Sequence, residues 1–99
     1  MNATEPLRLA HSLTVYTVAE LRTRLLTYLA EAEHPVLDLG PVGECDCAGV
    51  QLLWSARRAA EGTGRRLQLH DCPEPVLAAA ERLGFARAAF LAGAAEAQP

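Results

Sequence analysis

Apolar residues recur along this chain with two periods. The first run alternates: Leu7-Arg8-Leu9, then Ala10-His11, then Leu13-Thr14-Val15-Tyr16. Two short alternating stretches about a two-residue connection predict an antiparallel hairpin. From Val18 the period lengthens. Val18, Leu21, Leu25, Tyr28, Leu29 and Ala32 form one helical stripe, with Arg22, Arg24, Thr27 and Glu31 on other faces. Thr17 and Glu20 have the spacing of a capping box, and Pro35 stops the chain beyond, so a helix is expected from Val18 to Glu33.

The rest reads in the same way. Val36-Leu37-Asp38-Leu39 is a short β-prone run, followed by bends at Gly40-Pro41 and Gly43. A second helix is expected over Cys47–Glu61, with Gly49, Leu52, Leu53, Ala56 and Ala60 sharing a face and Gly62-Thr63-Gly64 closing it. Leu67-Gln68-Leu69-His70 forms the next strand. Pro73 and Pro75 open a third helix with Val76, Ala79, Ala80 and Leu83 facing inward, ended by Gly84. Residues 86–92 predict one further turn or short strand. The order β-β-α-β-α-β-α implies a single α/β domain. Its expected sheet is mixed, with about four strands: an antiparallel N-terminal hairpin plus a parallel β-α-β-α-β unit, packed with three to four helices. The expected boundaries are an arm over 1–6, the domain over 7–92 and a tail over 93–99.

Composition narrows the function. The chain has 99 residues, 51% hydrophobic and 21% charged, which suits one globular domain rather than two cores or a disordered chain. The net charge is −3, all nine basic residues are Arg interleaved with acids, and only 5% of the chain is aromatic, so no basic, stacking face for nucleic acid is expected. No apolar stretch is long enough to span a bilayer, and Glu5 and Arg8 interrupt any secretory leader, so a cytoplasmic location is expected. Three Cys do not suggest a disulfide framework. His11, His34 and His70 are scattered, with no nucleophile and base in motif spacing, so no enzyme and no cofactor are expected.

The densest polar cluster is Glu44-Cys45-Asp46-Cys47-Ala48-Gly49, at a strand-to-helix junction. Ligands of open α/β sheets gather at such carboxyl ends, and the helix start offers unpaired N–H groups. Asp46 has two readings here, a helix cap and a partner contact. Trp54 falls about 140° from Gly49 on the helical wheel, with Val50, Arg57, Arg58 and Glu61 beside it on the side turned from the sheet. A Trp flanked by Arg has the composition of an interface anchor, the other reading being a ring lying over the rim of the core.

Asp46-Cys47-Ala48-Gly49-Val50-Gln51-Leu52-Leu53 resembles the signature of STAS domains, the fold shared by sulfate transporters and anti-sigma factor antagonists: Asp, a small hydroxyl residue, a small residue, Gly, then an apolar helix. Leu13–Thr17 leading into the first helix, Leu37-Asp38-Leu39 before Asp46, and Arg66–Leu69 before a Pro-led helix also sit where that family puts them, over roughly residues 7–91. The resemblance implies a non-enzymatic module that docks a protein partner: an anti-sigma kinase, a chemotaxis component or a transporter ATPase. It places the contact at Asp46, Cys47, Ala48, Gly49 and Val50, to which the wheel adds Trp54, Arg57 and Arg58. The position phosphorylated in the family's switch members is Cys47 here, and a thiol is no substrate for a serine kinase. Ala48 is similar to two other branches, lipid-transport subunits of ABC systems and chemotaxis-linked domains. A reading of another class takes Cys45, Cys47, His70 and Cys72, at the ends of two strands expected to be neighbours, as a zinc- or thiol-dependent sensor.

Overall fold

Leu7–Arg8 (β1) and Ser12–Leu13 (β2) do not fold back on each other. A computed structural model describes residues 5–9 and 11–92; residues 1–4 of the expected arm, Ala10 of the expected hairpin turn and the tail 93–99 lie outside them. The remaining elements are α1 (Val18–Glu31), β3 (Val36–Asp38), β4 (Glu44–Cys45), α2 (Cys47–Gly62), β5 (Gln68–His70), α3 (Glu74–Arg82) and α4 (Arg87–Ala92). The order and the α/β class follow the periodicities. The antiparallel hairpin does not. β1 runs parallel to β3 with Leu7 opposite Leu37, and β2 runs parallel to β4 with Ser12 opposite Glu44.

Both N-terminal strands therefore lie along the same neighbouring segment. Residues 9–11 separate β1 from β2, while residues 39–43 separate β3 from β4, so the neighbour bulges between the two paired stretches. Backbone bonds stitch the gap: Leu9 N donates to Asp38 O at 3.1 Å, and His11 O accepts from Gly43 N at 2.7 Å. The two alternating stretches thus pair with one neighbour on either side of its bulge. β5 joins β3 in parallel, giving the order β1-β3-β5 beside the pair β2-β4. Every strand pairing among the described residues is parallel.

The helices bury the stripes their sequences carry. Leu21, Leu25, Leu29 and Ala32 are buried, and α1 ends two residues before the expected Glu33. Arg65 closes that end from afar, its guanidinium donating to the carbonyls of Leu29 and Ala32. Tyr28 pins α1 to β3, its hydroxyl accepting from Val36 N at 3.0 Å and donating to Glu5 O at 2.7 Å. Thr17 does not build the capping box. Its hydroxyl donates to Ser12 O and accepts from Thr14 N, both at 3.0 Å, folding residues 14–17 into a turn instead.

α2 lies between α1 and α3 and touches both. No helix among the described residues is long and apolar enough to cross a membrane. Beyond α3, Gly84 takes φ +98, a conformation that an L side chain resists, and residues 87–92 form the helix α4 rather than a strand. Arg87 clasps α4 to α3, bonding both oxygens of Glu74 at 2.8 and 2.6 Å and both of Glu81 at 2.8 and 3.1 Å.

Candidate functional site

The first turn of α2 is fastened on two sides by one carboxylate. Asp46 Oδ1 accepts from Gly49 N at 3.1 Å, the cap its position suggested, and Oδ2 accepts from Val15 N at 3.0 Å. Its own N–H donates to Leu13 O at 3.2 Å. The residue therefore joins β2, the 14–17 turn and α2. Those backbone N–H donors, Val15 first, hold its carboxyl below the usual carboxylate range.

A depressed carboxyl contributes stability above its unfolded pKa and loses it as pH falls through the folded pKa. Asp46→Asn keeps one accepting oxygen but turns an NH2 donor toward the second backbone N–H. It is expected to cost about 1 kcal/mol, close to Asp46→Ala rather than to the parent. Urea denaturation at neutral and acid pH checks this: the gap between parent and variant should close as the carboxyl protonates. A variant equal to the parent at pH 7 would mean that Val15 does not use the second oxygen.

Gly49 is a steric requirement of this corner. A Cβ there would lie 2.1 Å from Leu13 O and 3.0 Å from Cys45 Sγ, so only glycine lets α2 sit so close to the β2 backbone. Packed in this way, the turn lifts its side chains outward. Val15 is 60% exposed and Tyr16 93%, and Cys47 is exposed beside them, with Ala48 half-buried. Val15 and Tyr16 belong to this turn and not to the strand their alternation predicts. The paired hydroxyls Thr14 and Thr17 were the signal that could have marked the turn.

The other expected contact residues divide. Arg58 is exposed. Gly49, Val50 and Arg57 are buried, Val50 at 0% and Arg57 at 2% exposure, against the placement of Val50 and Arg57 on an outward face. The wheel assumed one buried side. With α1 on one flank and α3 on the other, α2 buries an arc of roughly 160°. Trp54 sits at its edge, half-buried. Its ring lies 4.9 Å from that of Phe85, which meets Phe90 edge-on at 5.5 Å. The Arg57 guanidinium lies 5.9 Å from the Trp54 ring centre and 5.5 Å from that of Phe90, within cation–π range of both. Trp54 is thus built into the core rim.

The four thiol and imidazole positions do not form a metal site, although Cys45 lies within electrostatic reach of Cys47 and Cys72. Cys45 ends β4, which pairs with β2, whereas His70 ends β5, which pairs with β3, so the two strands are not the neighbours expected. Among the described residues no three His, Cys, Asp or Glu side chains gather as a metal ion requires. His70 Nε2 instead meets Gln68 Oε1 at 3.1 Å. Burial pushes the Cys45 thiol up to about 12 and that of Cys72 to about 11, so both stay protonated at neutral pH and pack against the core as small apolar groups.

Residues 2–93 match a family model described as "Mlab, STAS domain". No curated protein matches the chain at a significant level.

Proposed function

The chain belongs to the STAS domain family, and from that premise we propose that it is a docking module of the anti-sigma factor antagonist type, with its usual phospho-acceptor replaced by Cys47. STAS domains in general mediate protein–protein interactions and are non-catalytic. The partner is a protein of the class such domains serve: an anti-sigma kinase, a chemotaxis component or a transporter ATPase.

The observation that carries this reading is the corner itself. An aromatic side chain exposed over 93% of its surface stands beside the exposed Cys47 on a turn that Asp46 holds rigid. Preorganised, exposed aromatics are the residues that anchor interfaces. Asp46 contributes by fixing the turn, and Arg58 lies further along α2. Cys47 keeps nearly the shape of serine without the hydroxyl that a kinase would phosphorylate, so docking here is constitutive rather than phospho-switched.

Tyr16→Ala tests it. The variant should melt with the parent, because Tyr16 buries almost nothing, yet bind the partner about 2 kcal/mol more weakly by calorimetry. Incubation with a serine kinase and ATP should leave Cys47 unmodified by intact mass, whereas Cys47→Ser supplies an acceptor. Undiminished affinity of Tyr16→Ala, or a phosphate mapped to Cys47, would overturn the reading.

A further inference from the structure

Along the outer seam between α1 and α2, the two helices leave a groove that begins next to this corner. Two hollows of about 360 and 150 Å³ share Arg22, Leu52 and Ser55 and so form one trough. Its floor is apolar, with Leu25, Leu29 and Ala56, and its α2 bank is small, with Ala48, Ser55 and Ala59. Leu26 stands on the α1 bank, 48% exposed although it is a large aliphatic side chain. Small residues at spacings of seven and four along the α2 bank let a third backbone approach closely, which is the form of a helix-receiving groove rather than of an enclosed small-molecule cavity.

The charge pattern names the occupant. Among the described residues, Arg22 is the one ionisable side chain lining the trough. Its helical neighbours at three and four residues, Val18, Ala19, Leu25 and Leu26, are all apolar, and across the groove it faces Gln51, Leu52 and Ser55. No carboxylate among the described residues pairs with it. A lone guanidinium in an apolar trough complements an apolar surface carrying one carboxylate.

We infer that the α1–α2 groove seats a helix of the partner protein, one whose apolar face bears a single Asp or Glu aligned with Arg22. This rests on the docking reading above and adds a second contact beside the Tyr16 corner. The helix lays aliphatic side chains over Leu52 and Leu26, while its carboxylate takes the guanidinium in a bidentate pair. Tyr16 and Arg22 are then read independently by two parts of one partner.

A displayed library of alanine-framed helical peptides, with the positions of one face randomised, is the probe. Peptides selected on the parent protein should carry an Asp or Glu among Leu, Ile or Met on that face. Their affinity should fall about tenfold or more on Arg22→Gln, and again on Ser55→Trp, which fills the trough from α2. Tyr16→Ala should leave it unchanged. Selection on Arg22→Glu should exchange the acid for Arg or Lys. Circular dichroism confirms that the variants, all at exposed positions, fold as the parent does. Peptides without an acid, peptides indifferent to Arg22→Gln, or no selected peptide at all would overturn the groove. Peptides sensitive only to Tyr16→Ala would overturn the groove while leaving the corner in place.

Discussion

Gly49→Ala is expected to lose about 3 kcal/mol or more of folding free energy, a large share of the roughly 5–15 kcal/mol that keeps a domain folded. Helix propensity alone would favour alanine by about 1 kcal/mol. Sterics dominate here because the new methyl would stand 2.1 Å from Leu13 O and 2.9 Å from Leu13 C, both backbone atoms that cannot swing aside as a side chain can. α2 would have to lift from β2, stretching the Asp46 N–Leu13 O bond and drawing the carboxylate from Val15. Gly62→Ala is the internal control: a Cβ there meets nothing within 4 Å, and the substitution should be neutral or mildly stabilising. Urea titration of both variants checks the pair. Equal stability of Gly49→Ala and the parent would mean that the helix does not rest on the strand.

Phe90→Ala is expected to cost about 3–5 kcal/mol, as truncation of a fully buried aromatic does. Among the described side chains of α4, Phe90 reaches under Arg57 and meets Phe85, so its loss empties the space between α4 and α2. The Arg87 clasp does not replace it, because ion pairs with solvent-exposed partners contribute little. Arg87→Ala should accordingly be mild. Trp54, the single Trp of the chain, reports the event directly, since its ring rests on Phe85 at 4.9 Å. Its emission should shift to the red in Phe90→Ala before global unfolding. A variant with unchanged emission and stability would place α4 elsewhere.

The helices were legible because their information is local. Leu21, Leu25 and Leu29 announce α1 by spacing alone, and Asp46 could be read as the cap of α2 from its place before a helical run. Strand partners were not legible. Strands of two or three residues carry almost no pattern, and parallel pairing leaves no tight turn between partners to mark it. Ala10-His11 therefore resembled a hairpin connection, although the real cause of the break lies in Gly40–Gly43 of the neighbouring segment. Thr17 shows competition of the same kind: its spacing from Glu20 suits a capping box, but Ser12 O and Thr14 N are nearer partners. Val50 and Arg57 are buried, against the outward face the helical wheel gives them, for another reason. α2 is covered on two flanks, and the ring over Arg57, Phe90, comes from an alanine-rich stretch whose helix has no apolar period to read. The corner itself was half legible, through Asp46 and Gly49, while Tyr16 was hidden inside an apparent strand.

The all-parallel pairing also sets a timetable. Leu7–Arg8 and Ser12–Leu13 pair with a neighbour, Val36–Cys45, that leaves the ribosome only after the whole of α1. These strands are thus made well before they are satisfied, and contacts so distant in sequence slow the closing step. Until then Leu7, Leu9 and Leu13 travel uncovered beside unpaired backbone, the form of edge that nascent chains present to one another. During synthesis β1 and β2 are therefore vulnerable until β3 and β4 arrive, and α1 is the native structure made in the interval.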